Sequence, residues 1–418
     1  MKLFNNIPRG LFIFIVGILL LIAVAVGYKF LTSGMSSISV GTGNSNPFSA
    51  LFPFGNNGAA GTKGGGGTPS SPVSAGASGP APALREVAAG PVSGGWFVPG
   101  TTATATPTIR YMLRENGNII ETPADSLTST RLSNTTVPGI QTLYAAASST
   151  LVLQYLDTTG VLKNAVGTVN TNATEQSLTL TQLPSFNRVA VDANGDLLAV
   201  TDENGGAVVE RMKADGSKAQ TVFTSPILSW VPLAGGGESF VETAPSAAAT
   251  GYVYKIVSNT LQQVSGGIAG LTASVSPSGR YVAVSGNGAD GLLFLVIDTK
   301  TGAAALMPVH ATTLKCAWIP PDEPLLFCAV TAAMPSGITF PDDWLLGKVA
   351  LADSAWILNS TKKVSYFVGT LGDASGNGVD VENVSVSSSG TYALFMDKND
   401  LSLWSLNIGD AVQRALGQ

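Results

Sequence analysis

Charge is scarce in this chain of 418 residues. Only 12% of the residues are Asp, Glu, Lys or Arg, against about 25% in an ordinary globular protein. The net charge is −5, and no Lys/Arg cluster of useful size interrupts the sequence. Nucleic-acid binding usually needs a basic face, so no nucleic-acid partner is expected. The same shortage leaves little electrostatic pull toward anionic lipid. Histidine is nearly absent, with His310 alone of its type. A hydrolase triad, a zinc site or a histidine proton relay would have to pass through that residue or do without it. The nucleophile-elbow pattern G-x-S-x-G does not occur. Segments of helical period are missing between the strand-like runs, which argues against a parallel α/β fold. Cysteine is limited to Cys316 and Cys328, and no further Cys or His accompanies them to build a metal site. Too few catalytic side-chain types are present to make an enzyme the first expectation, and neither a cofactor nor a metal is expected.

One long apolar run is present. Leu11 to Val26 reads LFIFIVGILLLIAVAV, and Gly10, Gly27 and Tyr28 extend it to about 19 residues. That length is about enough to cross a hydrocarbon core near 30 Å thick. Lys2 and Arg9 precede the run and only Lys29 follows closely. The bias predicts a single-pass membrane protein with residues 1–9 cytoplasmic, a transmembrane helix at 10–28 and the remainder extracytoplasmic, at the cell surface or in the periplasm. Ala23 and Ala25 form an A-x-A, which keeps a cleaved signal peptide open as the alternative.

Residues 29–89 read as a disordered linker dominated by Gly, Ser, Pro, Ala, Asn and Thr, including GTKGGGGTPSSPVSAGASGPAPA. Such a composition cannot bury enough apolar surface to offset its ordering entropy. Within it, FSALFPFG (Phe48 to Gly55) reads as a short sticky patch or a docking motif.

Residues 90–418 carry imperfect repeats. NRVAVDANGDLLAVTD from Asn187, TASVSPSGRYVAVSG from Thr272, KCAWIPPDEPLLFCAV from Lys315 and NVSVSSSGTYALFMD from Asn383 share one plan. Each is an alternating strand, a turn of Pro, Ser, Asn, Asp or Gly, and a second apolar strand, which is a β-hairpin by period and turn chemistry. Fainter copies are IRYMLRENGNIIET, QTLYAAASSTLVLQY and LSWVPLAGGGESFVET. The turns centre near Asn116, Ser149, Asn194, Gly236, Ser278, Asp322 and Ser389, mostly 42 to 45 residues apart, with one shorter and one longer interval. That is the period of a four-stranded propeller blade, about 40–45 residues. The expectation is an all-β, seven-bladed β-propeller of four-stranded blades, preceded by the transmembrane helix and linker; a β-sandwich is the main competitor.

Cys316 and Cys328 are symmetric about Asp322 in the sixth hairpin, so an antiparallel register makes them direct cross-strand partners within disulfide range. An exported domain permits the bond. His310 is expected to be a satisfied core or inter-blade residue. Gly286, Gly288 and Gly291 spell G-x-G-x-x-G, yet the strand-like LLFLVIDT follows where a dinucleotide fold needs a helix. Asp373, Ser375, Asn377 and Gly378 imitate the start of a calcium loop, but Val384 stands where its bidentate Glu belongs. The sixth unit carries the longest interruption, with an insertion from Met334 to Lys348 containing Asp342, Asp343 and Trp344. It should overhang the rim shared with the inter-blade loops. Those three residues form the candidate binding rim, Trp344 as an exposed anchor and the two carboxylates as orienting groups; the alternative makes Trp344 the core of a lid.

The stretches IRYMLRENGNIIET with RLSNTT, KCAW with LFCAV, PDDWLLGKV and VENVSVSSSGTYALFMDKNDLSLWSL resemble those of uncharacterised membrane-anchored propellers of candidate-phylum bacteria, relatives of the TolB-like and WD-type propellers. The resemblance implies the fold, the anchor and the disulfide, and no activity. The function expected is a noncatalytic binding or scaffolding module of the cell envelope, with a protein or glycan partner and the membrane contacted through the N-terminal helix. The alternatives are a carboxylate-dependent carbohydrate-active hydrolase or lyase, which needs converging acids, and a self-assembling surface structural protein.

Overall fold

Alternating strands separated by tight turns pair with their sequence neighbours, and a sheet built that way exposes two faces that both need covering. The computed structural model describes residues 83–417 apart from 103–104, 172–175, 204, 321–323 and 373–375. The apolar run, the linker up to residue 82, the Phe48–Gly55 island, the Asp322 turn centre and Asp373 with Ser375 lie outside the described residues. Among those described, no helix is long and apolar enough to cross a membrane.

The described strands form seven antiparallel four-stranded sheets. Six blades use four consecutive strands each. The seventh takes three from the C-terminal end, Val381–Val386, Tyr392–Asp397 and Leu403–Asn407, and its outermost strand, Leu84–Ala88, from the N-terminal end. Leu84 faces Leu406 and Ala88 faces Leu403 across that seam. The folded part therefore starts before residue 90, correcting the expected boundary. LREVA is a short edge strand whose flanks have linker composition, so composition alone assigns it to the linker. The first repeat is also out of phase. Asn116 lies between the second and third strands of blade one, Thr108–Leu113 and Ile119–Pro123, whereas the other turns join first strands to second. That displacement accounts for the short first interval.

Each interface between blades is apolar. Phe327 of blade six stacks on Phe395 of blade seven with centroids 6.2 Å apart, inside a cluster that includes Ile319, Ala355, Val381 and Trp404. Phe240 of blade four packs with Leu271, Val282 and Val284 of blade five. The first-to-second-strand turns also touch one another. Gly236 N–H donates to Pro277 O at 2.7 Å, and a Cβ on Gly236 would lie 1.9 Å from Ser278 O. A Cβ on Gly195 would likewise meet Ala146 O at 2.4 Å. Both glycines have positive φ, so they serve the turn and the neighbour together.

Cys316 and Cys328 are direct partners in the strands Cys316–Trp318 and Leu325–Thr331 and are joined by a disulfide with Cα atoms 4.1 Å apart. A helix at Gly409–Leu416 follows the last strand. Ala411, Val412 and Ala415 are buried on blade six, and Asn359 Nδ2 donates to Ala415 O at 3.1 Å.

Gly236→Ala is expected to lower Tm well beyond Gly237→Ala. Both positions have positive φ, which alone costs roughly 1 kcal/mol for alanine, but nothing lies within 4 Å of a Cβ on Gly237. Equal losses by calorimetry would show that turn-to-turn contact is not what the glycine protects.

Candidate functional site

Strand direction alternates within each blade, so loops joining second to third strands share one face with the connections between blades. The chain enters the propeller on the opposite face, because Leu84 lies beside Leu406 near the end of the last C-terminal strand. Residues 332–352 form the loop between the second and third strands of blade six, Leu325–Thr331 and Asp353–Asn359. They make a lid.

The lid has its own small core. Phe340, Trp344 and Leu351 are buried with Leu292 of blade five, and Ile338 and Val349 pack against them. Phe340 and Trp344 rings lie 6.2 Å apart. Trp344 sits in the single helical turn Asp342–Leu345 and is only 3% exposed. It is therefore the core residue of the lid and not a solvent-facing anchor: its ring removes more apolar area from water under the loop than on top of it. Its indole Nε1 donates to Asp380, 2.9 and 3.0 Å from the two carboxylate oxygens.

The carboxylates beside it fasten the lid. Asp342 accepts from Ala247 N at 2.7 Å and Ser246 Oγ at 2.9 Å, both in blade four's loop between Glu238–Thr243 and Thr250–Val257. Those donors, the Ala247 amide first, hold its carboxyl below the usual range. Asp343 accepts from Thr339 N at 2.8 Å and pairs with Lys348 at 2.9 Å, which lowers its pKa too. Blade five supplies a third tie, Asn287 Nδ2 to Phe340 O at 2.9 Å. The lid thus reaches from blade six across blade five to blade four.

Beneath Trp344 lies a buried charge cluster. Lys315 Nζ is 2.6 Å from Asp353 Oδ2 and 2.5 Å from Asp380 Oδ1. Its ammonium is 5.0 Å from the Trp344 ring centre, and Lys398 is 5.1 Å from the same ring. Asp397 accepts from Asp380 N, and burial pushes its carboxyl up despite the donors around it. Burial likewise pushes up Glu382, which pairs with Lys398 at 3.9 Å. Sequence reasoning does not find Lys315, Asp353 and Asp380. Each sits at a strand border far from the others in sequence, Lys315 and Asp380 between apolar neighbours and Asp353 between Ala352 and Ser354, and only the fold brings the three together.

The remaining candidates scatter. His310 is exposed, its Nδ1 2.8 Å from Leu292 O, so it is satisfied but on the surface. It lies in the connection between blades five and six, and its ring lies against the start of Gly291–Asp298. Gly288 and Gly291 end and begin the paired strands Tyr281–Gly288 and Gly291–Asp298, a hairpin as expected. Of the calcium-like loop, Gly378 bridges Gly372. Among the described residues, no group of three or more His, Cys, Asp or Glu converges in metal-ligating geometry. Between the lid and blade five's hairpin lies a cleft of about 390 Å³ lined by Asn287, Gly288, Leu292, Met334, Ile338 and Phe340.

No protein-family model matches the chain, and no curated protein matches it in sequence. Among solved structures, TolB from Acinetobacter baumannii aligns at TM-score 0.39 and 11% identity, over 66% of this chain and 63% of that one. The match thus spans less than two thirds of the TolB chain. An oligogalacturonate lyase in complex with manganese aligns at TM-score 0.47 and 11% identity, over 76% and 98%. The β-propeller domain of the Trilobed protease from Pyrococcus furiosus aligns at 0.47 and 8%, over 75% and 95%. The likeness goes no further than a propeller fold, and the fold assignment rests on the sheet order of this chain.

Two pH effects follow. Asp342 has a depressed folded pKa, so its tie is fully present near neutrality and is lost as pH falls through that depressed value. Hydrogen exchange of residues 332–352 is expected to accelerate in acid below the ordinary Asp range, and Asp342→Asn to loosen the lid already at neutral pH. Exchange indifferent to both would exclude Asp342 as a fastening. Glu242 acts with the opposite sign. It is 2% exposed and its Oε2 has no partner among the described residues, so burial raises its pKa well above the ordinary value. The folded state keeps a proton that the unfolded state releases, and stability falls as pH rises between the two pKa values. Glu242→Gln should flatten that decline in a Tm–pH series; an unchanged slope would assign it elsewhere.

Proposed function

We propose that the chain is a membrane-anchored, extracytoplasmic propeller of the kind its sequence resembles, and that it is a noncatalytic binding or scaffolding module of the cell envelope whose partner docks on the lid face. The observation that carries this reading is the apolar surface on that face. Leu345 and Leu346 at the lid tip are 44% and 68% exposed. Met334 at the lid's edge is exposed too, as are Ile227 and Leu228 in the connection between blades three and four. Contiguous exposed apolar side chains mark interaction sites, as Leu345 and Leu346 at the lid tip would if they form such a patch, and aliphatic side chains favour a protein partner over a glycan.

The carbohydrate-active alternative draws no support from the lid acids. It needs two converging carboxyl groups free to meet a substrate, whereas Asp342 and Asp343 are engaged by Ser246, Ala247, Thr339 and Lys348.

The test is crosslinking capture from intact envelopes with the native chain and a Leu345→Ser, Leu346→Asp variant. Both side chains are exposed, so Tm should hold while partner recovery falls more than tenfold, the loss of a hot spot worth about 2 kcal/mol. Undiminished recovery would remove the lid tip from the interface. Protease shaving of intact cells checks the location, where release of the propeller is expected and full protection until lysis would refute export.

A further inference from the structure

We propose that Lys315 and Asp380 become joined by an isopeptide bond, formed by the folded chain itself, with Asp353 as the proton-transfer group. The starting observation is the composition of the cluster under Trp344. One ammonium meets two carboxyl groups at 2.5 and 2.6 Å, and the three side chains are 1% exposed or less. A buried ion pair balances one ammonium with one carboxylate. Here a second carboxyl occupies the same sealed space, and another ammonium, Lys398, sits by the same Trp344 ring and pairs with Glu382. An ion pair alone does not explain the surplus acid. An amine, a carboxyl to be attacked and a second carboxyl to carry the proton are what amide formation requires.

The hydrogen bonds assign the roles. On Asp380, Oδ1 faces the lysine, while Oδ2 accepts from Leu351 N at 3.1 Å; the Trp344 indole Nε1 is shared between the two oxygens, 2.9 Å from Oδ1 and 3.0 Å from Oδ2. The oxygen that turns negative when the amine adds to Cγ thus has the Leu351 amide to itself and shares the indole with the leaving oxygen, donors placed as in an oxyanion hole. On Asp353, Oδ1 accepts from Thr331 Oγ1 at 2.7 Å, and Oδ2 accepts from Val381 N at 2.8 Å while touching Lys315 Nζ. Asp353 is thus fixed against the nitrogen and placed to take its proton. Fixing the reactants within contact distance supplies a high effective concentration, and the Trp344 ring and the lid core above it keep out bulk water.

The step balances without an oxidant or cofactor. Asp353 takes a proton from the Lys315 ammonium, and the freed lone pair adds to Asp380 Cγ. The Nζ–Cγ bond forms and the Cγ–Oδ1 bond breaks. Oδ1 leaves as water, carrying two of the former ammonium protons relayed through Asp353. Ammonium and carboxylate become amide and water, and the remaining amide N–H donates to Asp353. Lys315 ends the 3-10 turn before the inner strand of blade six, and Asp380 directly precedes the inner strand Val381–Val386 of blade seven. The bond would weld neighbouring blades.

The test is mass spectrometry of the full chain, purified, reduced and denatured. The expected mass is lower than the sequence mass by one water. Trypsin should fail to cut after Lys315, and fragmentation should give a branched peptide joining Lys315 to Asp380. Asp353→Asn, which keeps the side-chain shape, should restore the unmodified mass, as should Asp380→Ala. The native chain alone decides whether the bond exists, even if neither variant folds. Full sequence mass with ready cleavage after Lys315 would overturn the proposal, and so would a water loss that maps to any other residue. Retention of the Lys315–Asp380 bond in Asp353→Asn would overturn the role given to Asp353.

Discussion

A four-stranded sheet with apolar residues on both sides cannot stand alone in water, and every feature of this propeller answers that constraint. Seven blades in a ring cover one another's faces, as Phe327 on Phe395 and Phe240 on Leu271 illustrate. Only the innermost and outermost strand of each blade are left as edges. The ring imposes a second requirement where its turns meet. Gly195 and Gly236 supply both the turn conformation and the missing Cβ that lets an adjacent carbonyl approach. The backbone is therefore fixed before any side chain on the lid face is chosen.

On that scaffold the lid is held by polar groups used in pairs. Asp342 reaches blade four, Asn287 holds Phe340, and Asp380 receives both an indole and an amide of the lid. Pairing of this kind is the condition for enclosing polar groups at all. The same arrangement leaves Leu345 and Leu346 outside, since Trp344 on the opposite side of one helical turn takes the interior. The binding face and the buried charges are two sides of one small loop.

Much of this was legible in the residues, and the failures have physical causes. Blade number and strand count follow from hairpin period and turn chemistry, because each hairpin is a local unit. The disulfide follows from register, since Cys316 and Cys328 are equidistant from one turn centre. The strand Leu84–Ala88 was hidden because its partner lies at the far end of the chain and nothing local marks it. The C-terminal helix did leave a signal: Ile408, Ala411, Val412 and Ala415 recur at helical spacing. The direction of Trp344 was not readable, because a four-residue turn fixes no face until its supports are placed. The Lys315, Asp353 and Asp380 cluster was out of reach for the same reason, as its members come from two blades.

The seam between Leu84–Ala88 and Leu403–Asn407 also dictates an order of events. Contacts between chain ends are the slowest to form, since the whole intervening loop must close first. The outermost strand of blade seven is made before the six other blades, and its partner after them. Until Leu403–Asn407 arrives, the early strand is an unpaired edge and blade seven has no sheet to join. Completion of the ring is therefore a signal that all seven blades have been made. A copy interrupted anywhere before blade seven keeps an open edge, the feature that quality-control proteases and chaperones meet in unfinished chains.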